Sequence, residues 1–347
     1  MRWHVDRRAF LRSSVLGGAG CWVAGRSATA PGGSPDEKRN IGIRDLIGAV
    51  DAGRMKESLF YLSKDPLPFR KLNFTLPGHA KNTLYEADDY LARRLESCGY
   101  RVEREGVRVQ AFRRDTRKPK HAQYSRPMPE DPWYTAYNLY AEKKGLSKPQ
   151  EIILALAHKD SQSWIDSPGA NDNAIGTVAV LEMACVLARY PSQRTLRFLF
   201  CNEEHIPWTS VTAAQNAKAR GDNIVAVFNL DGVGAKSAEQ TAAGKKMNVT
   251  AYTMPEGERL AELMAAVNAR YAIGLEQRTV KRPGPGDDDG SFVKAGYAAA
   301  VVNIGSWPYA DPNYHAEGDI PERCDVPNAA KAVQATLAAI LTLDQSP

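Results

Sequence analysis

The chain has 347 residues, of which 43% are hydrophobic and 24% are charged, a composition that excludes a disordered or fibrous protein and suits a globular enzyme. The formal net charge is +5, but residues 1–30 hold five arginines against one aspartate, so the rest of the chain carries only +1. We therefore expect no nucleic-acid partner, because a phosphate-binding surface needs positive charge clustered on the folded domain. No apolar run approaches the ~20 residues of a spanning helix, which argues against an integral membrane segment in the mature chain.

The N-terminus has the pattern of an export signal. The segment Asp6-Arg7-Arg8-Ala9-Phe10-Leu11-Arg12 precedes a glycine-rich, modestly apolar stretch and then Ala28-Thr29-Ala30. This order predicts a twin-arginine signal over residues 1–30 and a periplasmic or secreted protein that takes up its cofactor before export. A lipid anchor at Cys21 is the weaker alternative, because Gly18 stands three residues earlier, where such anchors usually have leucine.

Beyond the signal we expect a polar leader over residues 31–42 and one catalytic domain over residues 43–347. Apolar residues at helical spacing predict two helices, and alternating apolar residues then predict two strands. A basic, proline-containing loop between these strands is expected to be solvated. The helices are predicted over 43–63 and 80–98, the strands near 102–109 and 137–141, and the loop over 113–132.

From residue 151 onward, short β-branched runs alternate with longer amphipathic segments, without an internal repeat or a second core. The strands are predicted at 152–157, 195–201, 224–230 and 298–304. The helices are predicted at 174–190, 209–220, 258–271 and 326–343. This order predicts an α/β fold, a three-layer α/β/α sandwich around a mostly parallel mixed sheet, in a single domain.

Polar side chains follow three of these strands at the point where each strand ends. The first strand is followed by His158-Lys159-Asp160, the second by Asn202-Glu203-Glu204-His205 and the third by Asp231. Open α/β sheets bind ligands beyond the carboxyl ends of their strands, so these side chains should converge. Asp172 lies in a tight turn before the next helix, and His315 follows the last strand.

Imidazole and carboxylate groups without thiolates are the ligand set of Zn²⁺ or a similar divalent ion. Five such ligands exceed one tetrahedral site and suit two ions that share a carboxylate, which leaves one acidic residue as a base. Each residue alone has an ordinary explanation, such as a helix cap, a turn or a buried histidine. Their joint position at one edge of one sheet favours a metal centre. The candidates are His158, Asp172, Glu203, Glu204, Asp231 and His315.

Five segments of the chain occur in an order typical of one enzyme family. They are Ala157–Ser161, Pro168–Gly176, Arg197–Glu204, Asn229–Gly234 and Tyr314–His315 with Asp319. Over about residues 43–343 the chain thereby resembles the secreted zinc-dependent exopeptidases, the family of bacterial leucyl aminopeptidases, glutamate carboxypeptidase and the glutaminyl cyclases. The resemblance implies a single zinc-exopeptidase-like domain.

The resemblance also implies a ligand set for two Zn²⁺ ions. Asp172 would bridge the two ions. His158 and Asp231 would complete one site, and Glu204 and His315 would complete the other.

Two further carboxylates receive roles from the resemblance. Glu203 would be the general base and acid, taking a proton from the attacking water and passing it to the leaving amine. Asp160 would orient His158, as carboxylates usually do for metal-bound imidazoles. Where the family has an Asp-His pair before a phenylalanine, this chain has Asp288 and Asp289. Asp288 is therefore expected to support the site, while the role of Asp289 is left open.

The segment after the glutamate pair departs from the family. Where the family tends to have Gly-Leu-Leu-Gly-Ser, this chain has Ile206-Pro-Trp-Thr-Ser210, so the nearby pocket wall is altered. Trp208, Trp307 and Tyr309 are candidates to line that pocket or, equally, to be packing aromatics. The family often has a cis peptide after the bridging aspartate, which here is the bond Asp172–Asn173.

The leading interpretation is a di-zinc aminopeptidase that acts on peptide substrates. Within the same fold, the alternatives are a carboxypeptidase and a single-zinc glutaminyl-peptide cyclotransferase. A receptor-like binding role is the non-enzymatic alternative, which the complete ligand set disfavours. The residues leave open the substrate side chain, the native metal and the oligomeric state.

Four cysteines follow the signal, and no close pair has metal-binding or redox spacing. An oxidising compartment would permit disulfides between them. Cys185 and Cys201 lie in apolar runs and are predicted to be buried thiols.

Overall fold

The computed structural model describes residues 42–347. The predicted signal over 1–30, the lipid-anchor candidate Cys21 and the leader over 31–42, except for Gly42, lie outside the described residues. Within residues 42–347, no helix is both long and apolar enough to cross a membrane.

Helices and strands alternate along most of the described chain. The helices are α1 (Ile43–Gly48), α2 (Ala52–Ser63), α3 (Thr83–Ser97), α4 (Ile175–Leu187), α5 (Thr209–Arg220), α6 (Ala238–Ala242), α7 (Pro255–Tyr271), α8 (Asp287–Lys294) and α9 (Val326–Asp344). The strands are β1 (Val102–Gln110), β2 (Arg113–Arg114), β3 (Tyr124–Ser125), β4 (Trp133–Lys143), β5 (Lys148–His158), β6 (Arg194–Cys201), β7 (Asn223–Leu230), β8 (Met247–Tyr252), β9 (Glu276–Lys281) and β10 (Ala300–Ile304).

Eight of these strands form one mixed sheet, in the order β1-β4-β6-β5-β7-β10-β8-β9. The central strands β6, β5, β7 and β10 run parallel to one another. β4 lies antiparallel to β6 on one side, and β8 lies antiparallel to β10 on the other. β2 and β3 pair with each other inside the predicted loop 113–132. The mostly parallel mixed sheet is thus confirmed.

Both faces of the sheet are covered by helices, which confirms the three-layer sandwich. Ile153 and Ala155 of β5 belong to a large core that includes buried residues of α2, α4, α7 and α9. The alternate residues Leu154 and Leu156 belong to a second core with α5 and α8. A strand buried on both faces has no side for polar residues, which explains why residues 152–157 of β5 are a continuous apolar run in the sequence.

The predicted strands after residue 151 correspond to β5, β6, β7 and β10, and the predicted helices to α4, α5, α7 and α9. The single helix predicted over 43–63 is instead two helices, because the Asp51 side chain accepts hydrogen bonds from the N–H groups of Gly53 and Arg54 and caps the start of α2. β8, β9 and α8 were not predicted. β9 is an edge strand with mostly exposed side chains, so it lacks the apolar pattern of a buried strand.

One cysteine prediction is wrong. Cys185 is not a thiol but forms a disulfide with Cys98, with their Cα atoms 5.3 Å apart. The two cysteines are 87 residues apart in sequence, and α3 packs on α4 to bring them together. The spacing of the two cysteines in the sequence therefore could not predict this disulfide. Cys201 is a buried free thiol, as predicted.

Candidate metal centre

Four of the predicted residues lie where parallel strands end. His158 is the last residue of β5, Glu203 and Glu204 follow the end of β6, and Asp231 follows the end of β7. These strands are neighbours in the sheet, and His158 pairs in register with Cys201. The sheet therefore brings the four side chains to one edge.

Asp172 reaches the same edge from a tight turn between β5 and α4. Gly169 opens the turn with a φ of 61°, and the peptide bond Asp172–Asn173 is cis, as the resemblance implies. The carboxylate of Asp319 accepts hydrogen bonds from the N–H groups of Asn171 and Asp172, at 2.6 and 3.1 Å. Asp319 therefore fixes the backbone that carries Asp172.

All five predicted ligands lie together in two overlapping groups. In one group, Nε2 of His158 lies 3.1 Å from Oδ1 of Asp172 and 3.7 Å from Oδ1 of Asp231. In the other, Nε2 of His315 lies 2.8 Å from Oδ2 of Asp172 and 2.9 Å from Oε1 of Glu204. Each group offers three ligand atoms within 4.8 Å of one another. Asp172 is the shared residue and presents one oxygen to each group.

The residues present fit a divalent cation such as Zn²⁺. Oδ1 of Asp231 and Oε2 of Glu203 are buried but have no hydrogen-bond partner within the described chain, a condition that is unfavourable unless a ligand supplies the partner. Burial and the charge of Asp287 raise the pKa of Asp231 to about 8, as expected where carboxylates are crowded together in a buried site. Nitrogen and oxygen donors also match the coordination preference of zinc.

Asp160 holds one candidate ligand and the backbone of both glutamates in place. Its fully buried carboxylate accepts hydrogen bonds from Nδ1 of His158 at 3.2 Å and from the N–H groups of Glu203 and Glu204 at 3.1 and 3.0 Å. A fourth donor is Nδ1 of the buried His205, at 2.6 Å, a partner that the sequence analysis did not identify. Burial raises the pKa of Asp160, but the hydrogen bonds from the two histidines outweigh it and hold this pKa well below its usual range.

Asp287 is a further carboxylate at this centre that the sequence analysis missed. One of its oxygens lies within 4.8 Å of carboxylate oxygens of Glu203 and Asp231. Its Oδ1 accepts a hydrogen bond from Nδ2 of Asn229 at 2.7 Å, which fixes the direction of the carboxylate. The available signal was the run of three aspartates at the start of α8.

Asp288 and Asp289 are both fully buried but have different partners. Oδ2 of Asp288 accepts a hydrogen bond from the thiol of Cys201, the last residue of β6, at 3.0 Å. Asp289 forms an ion pair with Arg282. Asp288 therefore contacts the strand that leads into Glu203, whereas the charge of Asp289 is balanced by an arginine.

Of the three candidate aromatic residues, Tyr309 is the one that contacts the turn carrying Asp172. Its hydroxyl accepts a hydrogen bond from Nδ2 of Asn171 at 3.1 Å, and its ring lies edge-on to Tyr314. Tyr314 is 49% exposed and stacks on the ring of His315, with ring centres 4.1 Å apart. Trp307 packs instead against the small core between β8 and β10, and Trp208 precedes α5.

Comparison with known proteins places this site in a family. The model of peptidase family M28 matches residues 138–341, a range that includes all five candidate ligands and Glu203. A protein of Pyrenophora tritici-repentis named "Probable zinc metalloprotease" is 26% identical over 253 residues, which cover 61% of this chain and 52% of that protein. The chain thus spans about half the length of the curated relatives it matches.

Solved structures share the fold. An aminopeptidase from Aneurinibacillus sp. strain AM-1 superposes with a TM-score of 0.65 at 16% identity, covering 87% of this chain and 96% of the aminopeptidase. A glutaminyl cyclase from Bacteroides thetaiotaomicron, bound to N-acetylhistamine, superposes with a TM-score of 0.61 at 16% identity, covering 84% of this chain and 97% of the cyclase. The family match covers more than half of the chain, and the chain therefore belongs to peptidase family M28, a family of zinc-dependent metallopeptidases.

Proposed function

We propose that the protein is a di-zinc aminopeptidase, a hydrolase that removes N-terminal residues from peptides. The observation that carries the proposal is the pair of three-residue groups that share Asp172. His158, Asp172 and Asp231 would hold one ion. Asp172, Glu204 and His315 would hold the other. Bound zinc would polarise the scissile carbonyl and make water a stronger nucleophile.

Glu203 is the residue proposed to move the proton. Its carboxylate adjoins Asp231, and its Oε2 has no hydrogen-bond partner within residues 42–347, so it is free to face a substrate or water. Burial and the charges of Asp287 and Asp288 raise the pKa of Glu203 well above its usual range. A carboxylate beside the proposed ligands suits both halves of the reaction, accepting a proton from the attacking water and returning it to the leaving amine.

The charge around Glu203 favours an aminopeptidase over a carboxypeptidase. Asp287 is not one of the five proposed ligands, and its carboxylate lies beside those of Glu203 and Asp231. Among the described residues, no lysine or arginine forms an ion pair with Glu203, Asp231 or Asp287, whereas the neighbouring Asp289 does pair with Arg282. We propose that Asp287 receives the α-ammonium group of the substrate, since a C-terminal carboxylate would be repelled there.

A single-zinc glutaminyl-peptide cyclotransferase is the second candidate. Asp172, Glu204 and His315 form a complete three-residue zinc site by themselves, and a glutaminyl cyclase shares the fold. The cyclase alternative predicts that one zinc suffices and that peptides with N-terminal glutamine are cyclised rather than hydrolysed.

We also propose that the chain is exported to the periplasm or secreted. The twin-arginine pattern over residues 1–30 supports export. The disulfide between Cys98 and Cys185 is consistent with it, because disulfides persist mainly in oxidising compartments.

The test is zinc content by elemental analysis, paired with assays on aminoacyl chromogenic substrates and on N-terminal glutamine peptides. The proteins are wild type, Glu203→Gln and the control Glu182→Gln, which alters a buried glutamate on α4 that pairs with Arg54. We expect about two zinc ions in all three and a loss of hydrolysis of at least ~100-fold in Glu203→Gln alone. One zinc with cyclisation would favour the cyclotransferase. Absence of zinc would refute both enzymes.

A further inference from the structure

Arg70 is a fully buried arginine in the connection between α2 and α3. It lies outside residues 138–341, the range that the family model matches, and nothing so far gives it a role. Buried guanidinium groups are costly unless their N–H groups are satisfied. The partners of Arg70 therefore indicate what the side chain holds in place.

The guanidinium of Arg70 donates hydrogen bonds to backbone carbonyls of three separate segments. Its Nε donates to the carbonyl of Lys159 at 2.6 Å, between His158 and Asp160. Its Nη1 and Nη2 donate to the carbonyls of Pro168 and Gly169, at 2.8 and 2.6 Å, just before the turn that carries Asp172. Its Nη1 also donates to the carbonyl of Leu62 in α2, at 2.5 Å. One side chain thus links two ligand-bearing segments to each other and to a helix.

The backbone of Arg70 reinforces the same link. Its N–H donates to Oγ of Ser161 at 2.9 Å, and its carbonyl accepts from the N–H of Ser161 at 3.0 Å. The packing around these bonds is tight: a Cβ added at Gly169 would lie 2.6 Å from Cβ of Ser161 and 3.0 Å from Nη2 of Arg70. The two segments therefore have little freedom to move apart while Arg70 is in place.

A lysine could not reproduce this arrangement. A guanidinium directs its donors in a fixed planar fork, whereas an ammonium is a compact charge that cannot reach several carbonyls in that geometry. Burial lowers the pKa of Arg70 to about 10, an effect opposed by the carboxylates of Asp319, Asp160 and Asp172. The side chain thus remains a cation at neutral pH and keeps all of its donors.

We propose that Arg70 is a positioning residue of the metal centre, which holds His158 and Asp172 at the separation required to bind one ion together. This inference rests on the proposed metal centre. Apart from Leu62 in α2, the carbonyls that Arg70 contacts belong to the segments of His158 and Asp172, not to those of Glu204 and His315. Asp172 is additionally held by Asp319. Loss of Arg70 should therefore weaken the ion at His158 more than the ion at His315.

The test compares Arg70→Lys with Arg194→Lys. Arg194 is a matched control at the opposite end of the parallel strands from the candidate ligands. Arg194 begins β6 and is also buried, and its Nη1 donates to the carbonyls of Leu343 and Asp344 at 2.6 and 3.0 Å. Each purified protein is equilibrated with a series of zinc buffers, and bound zinc is measured by elemental analysis well below the unfolding temperature. Thermal unfolding of the zinc-free proteins is measured in parallel, and the cobalt-loaded proteins are compared by visible absorption.

We expect Arg70→Lys to fold and to bind one of its two zinc ions about 10- to 100-fold less tightly than wild type, the usual range for residues that orient metal ligands. We expect a changed cobalt spectrum in Arg70→Lys, and unchanged zinc affinity in Arg194→Lys despite lower thermal stability. Equal zinc affinity in Arg70→Lys and wild type would overturn the inference, as would an equal loss in Arg194→Lys.

A second variant covers the case in which Arg70→Lys does not fold. Ser161→Ala removes only the hydrogen bond from the Arg70 backbone, and we expect a several-fold weaker zinc affinity; an unchanged affinity would then overturn the inference. The number of zinc ions bound by wild type and its hydrolytic activity test the proposed function, independently of the Arg70 variants. If wild type binds a single zinc, the di-zinc proposal fails. Arg70 is then still tested by whether Arg70→Lys weakens the binding of that zinc, because Asp172 belongs to both groups of candidate ligands.

Discussion

Replacing Asp160 with asparagine tests how the centre is held together. The change is nearly isosteric, but it converts one of two carboxylate oxygens into an amide donor. Each oxygen serves two donors: Oδ1 accepts from His158 and the N–H of Glu203, and Oδ2 from His205 and the N–H of Glu204. Whichever way the amide turns, two buried donors lose their acceptor and face another donor.

The number of lost hydrogen bonds determines the expected loss of stability. Hydrogen bonds to a charged group contribute about 1.5–3 kcal/mol each, so two lost bonds predict that Asp160→Asn lowers the free energy of unfolding by about 3–6 kcal/mol. His158 loses its orienting partner in one amide orientation, and the N–H of Glu204 loses its partner in the other, so zinc affinity should fall by about 10- to 100-fold in either case. The free energy is measured by urea unfolding of the zinc-free protein, and the affinity by competition with a chelator.

Asp344→Asn is the matched control. Asp344 is also fully buried and accepts three hydrogen bonds, from the hydroxyl of Tyr190 and the N–H groups of Gln193 and Arg194. It lies at the end of the sheet remote from the metal ligands. We expect Asp344→Asn to lose one bond, about 1.5–3 kcal/mol, with no change in zinc affinity. Wild-type zinc affinity in Asp160→Asn, or equal losses of affinity in both variants, would refute the reasoning.

Three further predictions address substrate binding, the disulfide and the ligand turn. Asp287→Asn should raise KM for aminoacyl substrates by at least ~10-fold with zinc content unchanged, because it removes the proposed charge partner of the substrate ammonium; an unchanged KM in steady-state assays would contradict this role. Replacing both Cys98 and Cys185 with serine should lower the free energy of unfolding by about 2–4 kcal/mol in urea titrations, since the disulfide closes a long loop. Gly169→Ala should lower the temperature of thermal unfolding more than Gly221→Ala. Both glycines have positive φ, but a Cβ at Gly221 would meet nothing within 4 Å, whereas a Cβ at Gly169 would lie 2.5 Å from the backbone oxygen of Asp172. Equal shifts of the unfolding temperature for the two substitutions would indicate that crowding at the turn is unimportant.

The fold class and the candidate ligands could both be predicted from the sequence. Both depend on local patterns: β5 is an apolar run because both of its faces are buried, and His158 and Asp231 come directly at the ends of such runs. Parallel strands place their carboxyl ends at one edge, so a local pattern was enough to predict which side chains meet. The elements missed, such as β9, are those whose side chains remain in solvent and therefore show no apolar period.

The groups that support the centre could not be predicted from the sequence and are visible only in the folded chain. Asp287 and His205 reach the site through the packing of α8 and of the segment after β6, and Cys98 meets Cys185 only because α3 lies on α4. Arg70 binds backbone carbonyls, which every residue has. When two side chains pair, both residue types can be recognised in a sequence. When a side chain pairs with backbone carbonyls, only its own residue type can be recognised, because the fold alone defines its partners.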